Sequence, residues 1–167
     1  SPIKGHSILL QAAARVIREF PAVLFQLVGR QTEELRPEAE RLGVARQVEF
    51  LGERTDVPEL LSKTHLFVMP SLMEGIGTAL IEAQAAGVPV VASEVGGLPD
   101  VVEKGVTGLL TPPGDPDALA QALLRLLKSP EEREAMAGRA VENARKNFSV
   151  EAVTDRLEAL YARTERP

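Results

Sequence analysis

The chain has 167 residues, 44% of them hydrophobic and 26% charged, with a net charge of −5; this is the length of one ordinary domain with its own core and the mixture of a globular rather than a disordered chain. The acidic balance and the lack of a basic stripe argue against a nucleic-acid partner, and the absence of cysteine excludes disulfides and thiolate metal sites. No apolar run approaches the roughly 18 residues that a membrane-spanning helix needs, and no secretory leader pattern is present, so a cytoplasmic location is expected.

The opening SPIKGH reads as a loop leading into a first helix over 7–19, which places Ile8, Leu9, Ala12, Val16 and Ile17 on one face. VLFQLVG (23–29) reads as a buried strand ending in glycine. A helix is expected over 31–42, closing at Gly43 as its C′ residue. VEFLG (48–52) is a short strand, followed by a short helix near 56–62 and a strand at HLFVMPS (65–71). TALIEAQAAG (78–87) is helical with Gly87 past its end, VPVVAS (88–93) is a strand, and a helical turn follows near 99–103. GLLTPP (108–113) is a last short strand, and helices are expected over 116–128, 131–147 and 150–163.

Short strands apolar on both faces, separated by helices, predict βαβ units and a parallel sheet covered on both sides: an α/β, three-layer, Rossmann-like domain. A doubly wound domain normally has a strand before its first helix, so the sheet is expected to be short of one strand. Ligands of such sheets bind outside the carboxyl ends of the strands, which directs attention to the loops after Gly29, Gly52, Pro70 and Ser93.

The most informative stretch is SLMEGIGTALIEAQAAGVPVVAS (71–93). Glu74 and Gly75 fall in a loop after a strand, and Gly77–Thr78 opens a helix. The free N–H groups of residues 76–78 would point out of the helix start, where the aligned peptide dipoles amount to about half a positive charge. Gly75 and Gly77 let a ligand approach the backbone, so the spot suits phosphate. Glu74 in the loop and Glu82 one turn into the helix flank that anion site. Two carboxylates there make sense if they accept hydrogen bonds from hydroxyls of the same ligand, as a sugar nucleotide would supply. Taken alone, Glu82 reads as a solvated helix residue and Lys4 as an exposed lysine near a helix start.

Glu74 and Glu82, set within S-x-x-E-G-x-G-x-x-x-x-E-A-x-A-A-G-x-P-V-V-A-S, resemble the signature of the family-four retaining glycosyltransferases of the GT-B fold. The similarity continues in order through KGH (4–6), LVGR (27–30), VEFLGERTDVPELL (48–61) and GGLPDVVEKGVTGLLTPPGDPDALAQAL (96–123). The resemblance implies that 1–167 is the carboxyl-terminal, nucleotide-sugar-binding domain, with the amino-terminal acceptor domain absent. It implies that Glu74 binds hydroxyls of the transferred sugar and that the backbone near Gly75, Ile76, Gly77 and Thr78 holds the distal phosphate. Glu82 would bind the ribose, Lys4 would neutralise the departing diphosphate, and the loops at Gly29 and Gly52–Arg54 would lie near the base. Retaining transfer without a metal or cofactor follows, the chain alone being expected to bind nucleotide weakly and to transfer no sugar. Membrane association of a longer enzyme stays open.

Three departures stand against the family pattern. Ile76 replaces a common Phe, and Gln84 replaces a Met, which predicts a less buried helix face. An Arg that members carry before the Lys-Gly pair has no counterpart. Other readings are a non-catalytic nucleotide-binding module, or a sugar-nucleotide epimerase or phosphorylase of the same fold. Asp115-Pro116-Asp117 spells Asp-x-Asp, a metal-binding pattern elsewhere, but reads better as an N-cap, a Pro at the first helical position and an acid in the first turn. His6 is expected at a helix start and His65 at the start of a strand, with no metal-ligand set. Arg125, Arg133, Arg139 and Arg145 read as a solvated face. Val153, Leu157, Leu160 and Tyr161 form a stripe on the last helix that reads as a packing face, or as an exposed patch if its partner is missing.

Overall fold

The computed structural model describes residues 2–164. Helix α1 (His6–Glu19) is followed by β1 (Phe25–Val28), α2 (Arg36–Arg41), β2 (Val48–Gly52), α3 (Val57–Ser62), β3 (Phe67–Met69) and α4 (Thr78–Ala85). Then come β4 (Val90–Ser93), α5 (Leu98–Val101), β5 (Gly108–Thr111) and three helices, α6 (Pro116–Lys128), α7 (Pro130–Phe148) and α8 (Val150–Thr164). The alternation and its α/β class are as expected, and all strand pairing is parallel.

The strands form two sheets. β1 pairs with β2, and β3, β4 and β5 pair in that order; among the described residues no hydrogen-bonded ladder joins β1 to β3. The described residues before α1 form a 3₁₀ turn at Pro2–Lys4 rather than a strand. Ile3 nevertheless runs beside the carboxyl end of β3, its carbonyl accepting from Leu72 N–H at 2.7 Å.

One core lies under both sheets. It joins Leu10, Ala13 and Val16 of α1, Leu27 of β1, Val48 of β2, Val91 of β4, and Leu119, Leu123 and Leu126 of α6. A second core on the other face of β3–β5 joins Leu80 and Ala83 of α4, Val90 and Ala92 of β4, and Leu98 and Val101 of α5. β4 is buried along its whole length because alternate side chains enter opposite cores. The three layers are therefore complete over β3–β5. The β1–β2 pair departs from the expectation of cover on both sides. Phe25 and Leu27 are buried, but Gln26, Val28 and Glu49 are exposed, and Gln26 Nε2 donates to Glu49 Oε2 across the strands at 2.9 Å.

The expected helix 31–42 is broken in two. Gln31 takes a left-handed φ of 62°, a 3₁₀ turn covers Thr32–Leu35, and α2 starts afresh at Arg36. Pro37 explains the break, since it has no N–H to donate to the carbonyl four residues back and is best placed in a first turn. Elsewhere the termini follow their caps. Gly43 (φ 72°) and Gly87 (φ 73°) each follow a helix end in the left-handed conformation, with Val44 N–H reaching Ala39 O and Val88 N–H reaching Ala83 O. Asp115 Oδ1 accepts from the N–H groups of Asp117 and Ala118 at 3.0 and 2.9 Å, so this Asp-x-Asp is a helix cap.

Candidate functional site

The loop between β3 and α4 carries the predicted site. Gly77, in the left-handed conformation (φ 70°), is the N-cap of α4. A Cβ there would sit 2.4 Å from Leu98 Cδ2, so glycine is required both by φ and by the approach of α5. The N–H groups of Ile76, Gly77 and Thr78 donate to no acceptor among the described residues. They stand at the positive end of a helix, an arrangement that attracts an anion. Ile76 is exposed, as a residue contributing through its backbone can be.

Glu74 and Lys4 meet although 70 positions separate them. Lys4 Nζ donates to Glu74 Oε2 at 2.6 Å. Gly5 fixes the approach: at φ 68° it packs so tightly on Pro70 that a Cβ would lie 1.8 Å from the Pro70 carbonyl oxygen. Ser71, fully buried, donates its hydroxyl to Glu74 Oε2 at 3.3 Å, and Gly75 N–H donates to Oε1 at 3.3 Å. The Lys4 ammonium first of all, then the Gly75 N–H and the Ser71 hydroxyl, holds the Glu74 carboxyl below the usual carboxylate range, against the opposing effect of partial burial. Glu82 is exposed on α4, one turn beyond Thr78 and on the same face.

A second group forms at the carboxyl ends of β1 and β2. Gly29 N–H donates to Gly52 O at 2.7 Å. Gly52 N–H donates to Thr32 Oγ1 at 3.1 Å, and that hydroxyl donates to Gly29 O at 3.2 Å. Thr32 is fully buried and ties the two glycine turns together. Arg54 is turned onto Asp56 in a two-pronged pair, Nε to Oδ1 at 2.8 Å and Nη2 to Oδ2 at 2.5 Å. The structure thus gathers Lys4 with Glu74 and residues 75–78, and Gly29 with Gly52. Among the described residues no hydrogen bond links the two groups.

Four residues that shape the site have no role in the sequence reading. Gly96 and Gly97 press on the Glu74 loop: Gly97 N–H donates to Gly75 O at 2.8 Å, and a Cβ on Gly96 would lie 1.9 Å from Glu74 O. The Gly-Gly pair after β4 is the signal for them. Ser71 is the first position of the S-x-x-E spelling, where only its buried hydroxyl gives it a role. Thr32 carries no recognisable pattern.

Several expectations are corrected. Gln84 is fully buried rather than loosely covered, and its polar head is satisfied: Nε2 donates to Val101 O at 3.2 Å and Oε1 accepts from Asn143 Nδ2 at 2.9 Å. Of the four arginines read as a solvated face, Arg125, Arg139 and Arg145 are exposed as expected, Arg125 pairing with Glu132 and Arg139 donating to Val106 O; only Arg133 is half-buried, donating to Leu126 O. The stripe on α8 is not a packing face among the described residues, Val153, Leu157, Leu160 and Tyr161 being 40–64% exposed. His6 does begin α1, and His65 lies two residues before β3. Clefts of about 640 and 360 Å³ lie away from Glu74 and Glu82, lined chiefly by α7 with the turn before β5, and by α6 with β5.

The glycosyl transferases group 1 family matches residues 1–146. The chain belongs to that family. It is 37% identical to a D-inositol 3-phosphate glycosyltransferase of Corynebacterium urealyticum, over 95% of this chain and 40% of the relative. It is 35% identical to an N-acetyl-alpha-D-glucosaminyl L-malate synthase of Bacillus anthracis, over 95% of this chain and 42% of the relative. The chain thus spans about two fifths of the length of these relatives. Among solved structures, Anabaena HepE in complex with UDP aligns with a TM-score of 0.89 at 32% identity, covering 97% of this chain and 46% of that one. The same protein in complex with UDP-glucose aligns at 0.88. This group 1 glycosyltransferase domain has, among its described residues, no helix long and apolar enough to cross a membrane.

Proposed function

We propose that this domain binds a nucleotide diphosphate sugar and presents it for transfer with retention at the anomeric carbon. The observation that carries the reading is the single loop that sets three N–H groups, without an acceptor among the described residues, at a helix mouth beside Glu74 and its partner Lys4. In this reading the N–H groups of residues 76–78 hold the distal phosphate, and Lys4 offsets the charge that grows on the diphosphate as the C–O bond to it breaks. Positioned donors of this kind serve the leaving group without a metal or cofactor. Glu74 accepts from hydroxyls of the sugar, and Glu82 from those of the ribose. The turns at Gly29 and Gly52–Arg54 face the base. UDP and UDP-glucose complexes of the 32%-identical HepE support the choice of ligand class. The acceptor site is assigned to residues outside this chain, so the chain alone is expected to bind nucleotide weakly and transfer no sugar. A cytoplasmic setting belongs to the same proposal.

Calorimetric titration with UDP, GDP and ADP sugars tests it. One of the three should bind, and Glu82→Ala should weaken that binding by about 1–3 kcal/mol, the range for a lost hydrogen bond to a charged group. Undiminished affinity in Glu82→Ala removes the ribose assignment. Sugar turnover by the isolated chain contradicts the division of labour.

A further inference from the structure

Lys4 and Glu74 serve different parts of the donor in the reading above, on which this inference rests, yet in the structure they serve each other. The ammonium sits 2.6 Å from the carboxylate. The Lys4 side chain is 49% exposed and free to swing, whereas that of Glu74 is 14% exposed and pinned by Ser71 and Gly75. A diphosphate arriving at the helix mouth must therefore take Lys4 from a carboxylate that cannot follow it. That leaves Glu74 partly desolvated, short of a donor and close to a new anion, which is unfavourable. A sugar-bearing donor repairs the loss because its hydroxyls donate to Glu74 in place of Lys4. A nucleoside diphosphate without sugar repairs nothing.

We propose that Glu74 is a specificity-determining residue that discriminates against free nucleoside diphosphate by competing with it for Lys4. The same competition acts after transfer. Once the sugar has left, Glu74 loses its hydroxyl partners and recaptures Lys4, and the product diphosphate is held less tightly than the donor was.

The test is a titration of the chain and of Glu74→Gln, Lys4→Ala and the double variant with uridine diphosphate and UDP-glucose, or with the guanosine or adenosine pair if the panel above selects that base. Glu74→Gln keeps the shape and a hydrogen-bonding head but, being neutral, holds an ammonium more weakly. It should bind the free diphosphate about threefold or more tightly than the parent chain, in line with a half-exposed ion pair plus one removed repulsion. The sugar conjugate should gain nothing. A gain in binding cannot come from misfolding, so the readout stands without a stability correction. In the Lys4→Ala background the gain should shrink. An equal gain there means that Glu74 merely repels phosphate, and the competition for Lys4 is wrong. A parent chain that binds while Glu74→Gln shows no gain for the free diphosphate overturns this inference alone. A parent chain that binds none of the three diphosphates or their sugar conjugates overturns the functional reading, and this inference with it.

Discussion

The amides between α4 and α7, one buried and the others half-buried, give a quantitative test of the packing. Gln84 is fully buried, and its Oε1 has one partner, Asn143 Nδ2 at 2.9 Å. Val101 O receives two donors, Gln84 Nε2 at 3.2 Å and Asn143 Nδ2 at 3.0 Å, and Asn143 Oδ1 accepts from Asn147 Nδ2 at 2.7 Å. Removing either amide therefore has unequal consequences. Asn143→Ala strands Gln84 Oε1 in the core, at about 1–3 kcal/mol for a buried group left unpaired. For a domain of this size that lowers Tm by roughly 2–4 °C per kcal/mol. Gln84→Met leaves Val101 O with Asn143 and nearly conserves volume; it frees one N–H of Asn143, which is only half-buried and can meet water, so it should cost below about 1.5 kcal/mol. In the double variant Gln84 Oε1 is gone but Val101 O has lost both of its donors, so one orphan replaces another and the cost should stay close to the sum of the singles. Urea denaturation followed by circular dichroism measures all four proteins. If Gln84→Met costs as much as Asn143→Ala, or if the double variant is more stable than Asn143→Ala alone, then the accounting of partners is wrong.

Two further outcomes follow from the site. Gly96→Ala adds a Cβ 1.9 Å from Glu74 O at a φ of 53°; it should weaken sugar-nucleotide binding by about tenfold or more while costing roughly 1–3 kcal/mol of stability from backbone strain, and unchanged affinity by calorimetry would show that the Gly96–Gly97 loop does not set the position of Glu74. Burial, assisted by the nearby charge of Lys4, pushes the His6 imidazole below its ordinary value. The unfolded chain then takes up the proton first as pH falls, so stability present above about pH 6.5 is lost on acidification through the lower folded value. Denaturation midpoints at pH 7 and 5 should fall further in the parent than in His6→Gln, and equal falls would count against it.

What could be read from the sequence was what local chemistry decides. α6 was predicted to the residue because Asp115 and Pro116 start it and the break before Pro130 ends it. The mouth of α4 was legible because glycine at 77 is nearly obligatory there. Lys4 and Glu74 were legible as site residues only through the family resemblance, since no spacing rule brings positions 4 and 74 together. The failures share a cause, which is a partner distant in sequence. Gln84 looks like a defect on an apolar face until Asn143, 59 residues later, supplies its hydrogen bond. Gln26 lies in a run that reads as doubly buried, and only its pairing with Glu49 reveals an open face. The α8 stripe was legible as apolar, but nothing local says what would cover it. Pro37 is the exception, a local signal overruled in the reading by helical periodicity on either side.

The division of the sheet bears on how the site is held. Gly29 and Gly52 belong to the β1–β2 pair, whereas Glu74 follows β3, and the ladder does not run between them. In a continuous sheet, strand hydrogen bonds would set the distance between the two groups. Here the helix layer does so, because α1 and α6 lie over both sheets and share one core with Leu27, Val48, Val91 and Leu109. α1 has a double part in this: its packed face joins the sheets, and the turn at its amino end, through Gly5 against Pro70, brings Lys4 to Glu74. The two glycine turns and the helix mouth are thus each rigid by themselves, through the Thr32 hydroxyl on one side and the Gly96–Gly97 contact on the other. The spacing between them depends on apolar packing, which resists compression but has none of the directionality of a strand ladder. A ligand long enough to touch both groups, as a nucleotide sugar is in the proposed reading, would add the missing link between the two sheets, and its binding and the order of this domain would then be coupled.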